Sequence, residues 1–408
     1  QTLVKALSQS ESDIFKVPGI RLGCAAAGIK YRDRDDLVVL ELAEGSTCAA
    51  VFTRNAFCAA PVVLARAHLD SASPRYLLIN SGNANAGTGQ AGQTAARECC
   101  KALAAARGCD VNQILPFSTG VIGVPLPFDR VAVAIPEALT ALSERGWSAA
   151  ARAIMTTDLV PKLSSRRFDC DGYQITVTGM AKGSGMICPD MATMLAFIAT
   201  DAAVDHAWLQ KCLQAAVAVS FNAITVDGDT STNDACVLVA TGVSAAPLLD
   251  REHAGYRTFC DAVAEVCRRL AQLIVRDAEG ATKFVSISVT GGRDAQECLQ
   301  VAYTVAHSPL VKTALYASDP NWGRILAAVG RAGVADLDVD KVGIFLGDVC
   351  IVRDGGRAPD YREQDGQRVM NQDEIGIRIE LGRGSASETV WTSDLSDEYV
   401  RINAEYRS

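Results

Sequence analysis

The sequence predicts a mixed α/β fold in which sheets are covered by helices. Two observations carry this. Short apolar runs of strand length alternate with segments whose apolar residues recur at helical spacing, and the C-terminal quarter is dominated by strand-like runs. A third bears on organisation: no Pro/Ser-rich linker and no repeat of solenoid period divides the chain.

The first clear element is residues 76–80, a buried strand, succeeded by an Ala-rich helix over residues 90–107. Residues 174–177 and 195–200 read as strands on either side of a glycine turn at Gly183 to Gly185, which puts Thr193 at or just before a strand start. Residues 205–220 read as a helix with Asp205 near its N-cap, and residues 235–240 as a strand. In residues 256–277, Phe259, Val263, Val266, Leu270, Leu273 and Ile274 form one stripe, so this helix packs one face against a sheet. Strand 284–290 and helix 296–306 come next, then strands at 344–346, 349–352, 375–381 and 389–392.

With 408 residues, 49% hydrophobic and 21% charged, the chain is long enough for two core-bearing units or one large layered domain. A net charge of -8 with no Lys/Arg cluster gives no footprint for nucleic acid or an anionic membrane. The longest uncharged apolar run, residues 191–200, is far short of the roughly 20 residues that span a bilayer. No signal-peptide pattern opens the sequence. Fourteen scattered cysteines without a Cys-x-x-Cys pair read as reduced, mostly buried thiols of a cytoplasmic protein. The four histidines are far apart, so neither a zinc site nor a His-based triad is expected, and the expectation for a bound metal is none.

Gly87-Thr88-Gly89-Gln90-Ala91-Gly92 comes after a strand and opens a helix, as a dinucleotide fingerprint would. The match is weak: Ser81 to Ala86 intervene, and no second parallel strand ending in an acid is evident after the helix. Residues 80–85 read instead as a polar turn with Asx hydrogen bonds. Residues 221–234 lack the terminal glutamate of an EF-hand and read as a hydrogen-bonded loop that supports a site.

Chemistry concentrates elsewhere. In residues 182–195, Thr193 stands between a glycine-rich turn and an apolar run; a threonine nucleophile needs a base, and its own amine can serve once the Ala192-Thr193 bond is cut. A plain turn leading into a core strand has the same pattern. Thr119-Gly120, within residues 116–123, can aim a hydroxyl and a backbone N–H at one point, as an oxyanion hole does, or can simply be a turn. Thr156 or Thr157, Lys182 and Glu279 are polar groups at the edges of apolar elements and suit a zwitterionic substrate, whereas Arg276 and Lys283 read as solvated helix-end charges.

Residues 181–195 resemble the self-cleavage segment of the ArgJ family, the ornithine acetyltransferases (glutamate N-acetyltransferases) of arginine biosynthesis. The resemblance continues through residues 52–55, 80–85, 118–123, 224–234, 279–283, 308–314 and 319–325, over essentially the whole chain. It departs at Gly87, where a cysteine is common, and at Ala317, where glycine is; both affect loop detail only. The resemblance implies a layered α-β-β-α sandwich of the DmpA/ArgJ kind, self-cleaved before Thr193 into an α chain (residues 1–192) and a β chain (residues 193–408). It implies Thr193 as nucleophile, Thr119 and Gly120 as oxyanion hole, and substrate contacts from Thr156, Lys182, Thr193, Glu279, Asn403 and Ser408. The substrates implied are N-acetylornithine and glutamate, with no cofactor and with acetyl-CoA open as an additional donor. A dimer of αβ units or larger is also implied. The alternatives are a DmpA-type N-terminal-nucleophile amidase or aminopeptidase, and an uncleaved nucleotide-binding module built on Gly87 to Gly92.

Overall fold

Alternation along the strands decides which layer each side chain joins. The computed structural model describes residues 2–188 and 194–406. Its strands begin with β1 (Ile20–Ala25), β2 (Leu37–Leu42), β3 (Thr47–Phe52), β4 (Tyr76–Asn83), β5 (Ile114–Val121), β6 (Lys162–Cys170), β7 (Tyr173–Lys182), β8 (Leu195–Thr200) and β9 (Ala235–Ala240). They form a four-stranded sheet of order β1-β2-β4-β5 and a five-stranded sheet of order β3-β9-β8-β7-β6.

The two sheets pack face to face. Leu77, Ile79, Leu115 and Phe117 of the first share one buried cluster with Met180, Phe197, Val237 and Val239 of the second. The rings of Phe117 and Phe197 meet edge to face across the gap, 5.1 Å between centroids, a contact worth about 1 kcal/mol beyond its burial. The residues in between point outward. Leu37, Val39 and Leu78 meet helices Ala60–Ser71, Gly89–Arg107 and Phe128–Thr140, while Ala196, Ile198 and Leu238 meet helices His206–Ala218 and Gly255–Arg276. The result is the α-β-β-α sandwich expected. Strands buried on both faces read as continuous apolar runs, which is why β8 and β9 were visible in the sequence.

The chain continues into a third sheet, of order β13-β12-β11-β14-β10-β15, built from β10 (Phe284–Gly292), β11 (Gly343–Leu346), β12 (Val349–Arg353), β13 (Gly356–Arg357), β14 (Glu374–Glu380) and β15 (Ala386–Ser393). At β14 the helices lie on one face, so this strand buries Ile375, Ile377 and Ile379 and exposes Gly376 and Arg378 between them. A bridge between Ile224 and Trp391 ties this sheet to the sandwich. The strand-rich reading of the C-terminal quarter is therefore corrected in one respect: it also holds helices Pro309–Tyr316, Trp322–Gly330, Glu363–Met370 and Asp397–Glu405.

Two further expectations are refined. Strand 174–177 extends to Lys182, so it ends inside the region read as chemical. A parallel strand does come after helix Gly89–Arg107, namely β5 beside β4, but it ends in Thr119, Gly120 and Val121 rather than an acid. All fourteen cysteines are free thiols, nine of them buried. No helix among the described residues is long and apolar enough to cross a membrane.

Candidate active site

Strand parity builds the site. Thr119 lies two residues beyond Phe117 on β5, and Lys182 two residues beyond Met180 on β7. Both therefore face the gap between the sheets, at the end where the apolar filling stops. Lys182 Nζ donates to Thr119 Oγ1 and to Thr156 Oγ1, each at 2.9 Å, and Lys182 is 3% exposed. Burial pulls the Lys182 ammonium below the usual lysine range, against the opposing pull of Asp158, Asp234 and Glu279.

Gly120 is held at φ +138, and a Cβ there would lie 2.3 Å from the Gly82 carbonyl carbon. Only glycine allows β4 and β5 to approach this closely. Glu279 lies just beyond helix Gly255–Arg276; its carboxylate accepts from Thr157 Oγ1 at 2.8 Å and Asn403 Nδ2 at 2.6 Å, and its N–H donates to the Ser184 carbonyl. A Cβ on Gly185 would sit 2.5 Å from the Glu279 carboxyl carbon, so the glycine turn makes room for the acid.

Asp158 organises the floor. Its Oδ2 accepts from Gly183 N at 2.8 Å and Lys162 Nζ at 2.5 Å, and its Oδ1 from Thr156 N at 3.1 Å. Lys162 is fully buried and also donates to Asp277 at 2.7 Å. Burial alone would raise the Asp158 carboxyl; Lys162 and Lys182 overcome it and hold the group well below the usual carboxylate range. The loop at residues 221–234 supports the site as expected. The Asp227 carboxylate accepts from Met186 N and Ile187 N, Asn233 donates to the Ala84 and Ser118 carbonyls, and Asp234 accepts from Met194 N at 2.9 Å.

Thr119, Gly120, Thr156, Lys182, Glu279 and Asn403 thus line one cavity of about 240 Å³. Thr157 lines it too, so both threonines left open by spacing are present: Thr156 bonds the lysine and Thr157 the glutamate. Ala192, Thr193 and Ser408 lie outside the described residues. Sequence reasoning missed Ser184, Asn233 and Tyr406, which share the cavity wall. It misjudged Arg276 and Lys283, each 7% exposed. Arg276 stacks on Phe284 and donates to the Leu3 carbonyl, and Lys283 donates to the Met370 and Gln372 carbonyls. The Gly87 to Gly92 turn is filled by its own side chains: Thr88 donates to Asn85, Asn85 donates to the Gly92 carbonyl, and a Cβ on Gly92 would overlap Thr88. Among the described residues, Cys170, Asp171 and His253 come together as a possible metal cluster. His253 Nδ1 accepts from Gly255 N, which leaves Nε2 as the N–H that donates to Asp171 and no lone pair for an ion.

Comparison with known proteins adds an independent finding, because a profile of the ArgJ family matches residues 21–408. The chain belongs to the ArgJ family. It is 60% identical over 396 residues to the arginine biosynthesis bifunctional protein ArgJ of Pseudomonas fluorescens (strain Pf0-1), covering 97% of this chain and 98% of that protein. It is 58% identical over 399 residues to the protein of the same name from Methylococcus capsulatus (strain Bath), covering 98% of each. Among solved structures it is similar to the arginine biosynthesis bifunctional protein ArgJ of Bacillus halodurans, at 39% identity and a TM-score of 0.49, over 51% of this chain and 97% of that one.

Proposed function

We propose that this ArgJ-family chain is an acetyltransferase of arginine biosynthesis that moves the acetyl group of N2-acetylornithine to glutamate through an acetyl-threonine intermediate. The observation that carries the chemistry is the Lys182–Thr119 hydrogen bond beside Gly120, with Glu279 in the same cavity. An ammonium has only hydrogens to give, so the Thr119 oxygen accepts from Lys182 and its own O–H is left to donate. That O–H and the Gly120 N–H are the proposed oxyanion hole, and Glu279 with Lys182 the proposed recognition of a zwitterion.

In the precursor, Thr193 Oγ attacks the Ala192 carbonyl carbon; the peptide C–N bond breaks as the ester forms, the nitrogen takes the hydroxyl proton and becomes the free Thr193 amine, and water then hydrolyses the ester to release the Ala192 carboxylate and the Thr193 hydroxyl. An α-amino group ordinarily titrates at about 7.7 to 8.0, near working pH, which suits this amine to take the hydroxyl proton and return it to the leaving ornithine nitrogen as Oγ becomes acetylated. Glutamate then attacks the acetyl ester and restores Thr193. This ping-pong cycle is closed without a metal or bound cofactor, and acetyl-CoA can load the same oxygen as a second donor.

Denaturing mass spectrometry with an acetyl-transfer assay tests the reading. Species fitting residues 1–192 and 193–408, glutamate-dependent transfer, and an uncut, inactive Thr193→Ala variant are expected. A single intact mass with full activity in Thr193→Ala would overturn it, and release of acetate to water without glutamate dependence would favour the amidase alternative.

A further inference from the structure

A ping-pong cycle with one oxyanion hole poses an electrostatic problem. Ornithine and glutamate must present the same α-nitrogen to one nucleophile while carrying side chains of opposite charge. Glu279 is 8% exposed and lies in the amino-acid cavity. It suits an ammonium and repels a second carboxylate brought to the same place.

A second chamber of about 180 Å³ adjoins the first through a wall shared by Gly120, Thr156, Thr157 and Tyr406. It contains two cations, Lys30 and Arg34. Lys30 Nζ lies 5.2 Å from the ring centres of Tyr31 and Tyr406 and donates to the Tyr406 carbonyl at 3.3 Å. Arg34 donates to the Met155 carbonyl. Neither forms a close ion pair with a carboxylate among the described residues, although the Arg34 charge acts on Asp36 and partly offsets the burial that raises its carboxyl. The two acids of the chamber are already engaged: Asp36 accepts from Ala27 N and Ile29 N, each at 2.7 Å, and Glu405 accepts from Arg401 at 3.4 Å. Most N–H donors of Lys30 and Arg34 are therefore left for a ligand. The volume suits a short acidic side chain rather than a nucleotide-bearing group.

On the basis of the acetyl-transfer function proposed for this chain, we infer that this chamber receives the side-chain carboxylate of the glutamate acceptor on Lys30 and Arg34, while Glu279 receives the side-chain ammonium of ornithine. One nucleophile thereby serves two amino acids whose side chains leave it in different directions.

Lys30→Met and Arg34→Gln, made singly in the full chain, test this, with Arg34→Lys as a control that keeps the charge. The readouts are transfer from N-acetylornithine to glutamate and to glutamine, and isotope exchange between N-acetylornithine and ornithine. Each neutral variant is expected to lose about tenfold in kcat/KM for glutamate, mostly in KM, and to lose its preference over glutamine, with ornithine exchange within about twofold of wild type. Arg34→Lys should keep most of the preference. Parallel loss for glutamate and ornithine, or no change in either, overturns the inference, as does a loss confined to loading from acetyl-CoA. A wild type that transfers normally beside unaffected variants sinks this subsite alone. A wild type with neither transfer nor exchange sinks the acyl-transfer reading as well.

Discussion

Lys182 offers Thr119 a proton donor and no acceptor, so the pair behaves as one group whose useful part is the threonine hydrogen. Replacing Thr119 with valine keeps the shape and removes that hydrogen. Steady-state kinetics should show kcat down about 10²-fold to 10³-fold, and Thr119→Ser should keep most of the rate. The arrangement also carries a pH signature. Because burial lowers the Lys182 pKa, its proton is lost below the ordinary lysine range, and the neutral amine can then accept the Thr119 hydrogen. An alkaline fall in kcat that disappears in Lys182→Met would be the mark of this coupling; a wild-type profile flat to pH of about 10 would contradict it. The residue types of this site were visible in the sequence, because hydroxyls and charges beside glycine turns stand out. Their pairing was not: Lys182 and Thr119 are 63 positions apart, and only the face-to-face packing of two sheets joins them.

Among the elements, β5 shows why one part of the site was ambiguous. Pro116 interrupts what would otherwise read as a strand, and it is tolerated because β5 is the edge of its sheet. The Thr119–Gly120 segment, taken alone, therefore looked more like a turn than an oxyanion hole. The Asp158–Lys162–Asp277 network was hidden for a different reason: it fixes a loop to a helix end 115 positions away, and no local spacing encodes that. Lys162→Met would leave two buried carboxylates without their cation, and urea denaturation should show a loss of roughly 3 to 5 kcal/mol. Helix Pro309–Tyr316 docks on β15 through another buried cation, Lys312, which donates to Thr392 at 3.0 Å and to the Ser393 carbonyl. Burial pushes Lys312 down to about 8, against the attraction of Asp394 and Asp227. A lysine depressed in the fold releases its proton before the unfolded one does. Its contribution to stability therefore rises with pH between about 8 and the unfolded value of about 10.4. Subtracting the urea midpoints of Lys312→Met from those of wild type across that window should give a rising difference, and a level one would deny the linkage.

At the scale of the whole molecule, the two chains proposed for the mature enzyme are not two bodies. In the order β3-β9-β8-β7-β6, strands β3, β6 and β7 precede position 192, whereas β8 and β9 lie beyond it. The segments interleave, with β7 against β8 and β3 against β9. After maturation, size-exclusion chromatography should therefore show one complex that separates into two chains only in denaturant, and residues 193–408 expressed alone should not fold. Resolution of the two chains in native buffer would refute this. The broad layering was legible because buried strands announce themselves. The interleaving was not, since strand order within a sheet leaves no mark on hydrophobic pattern.

The same interleaving gives the protein a history. While the peptide before Thr193 is intact, β7 and β8 are neighbours on a single tether, and their pairing costs only the closure of a short loop. With that bond cut as proposed, any molecule that unfolded would have to find its other half by diffusion, at a rate set by concentration rather than by linkage. Under the proposed cleavage, maturation would work as a ratchet: the active form would be reached easily from the newborn chain and recovered poorly from dilute, denatured halves. Its persistence would depend on how slowly it opens, more than on how favourably it could reassemble.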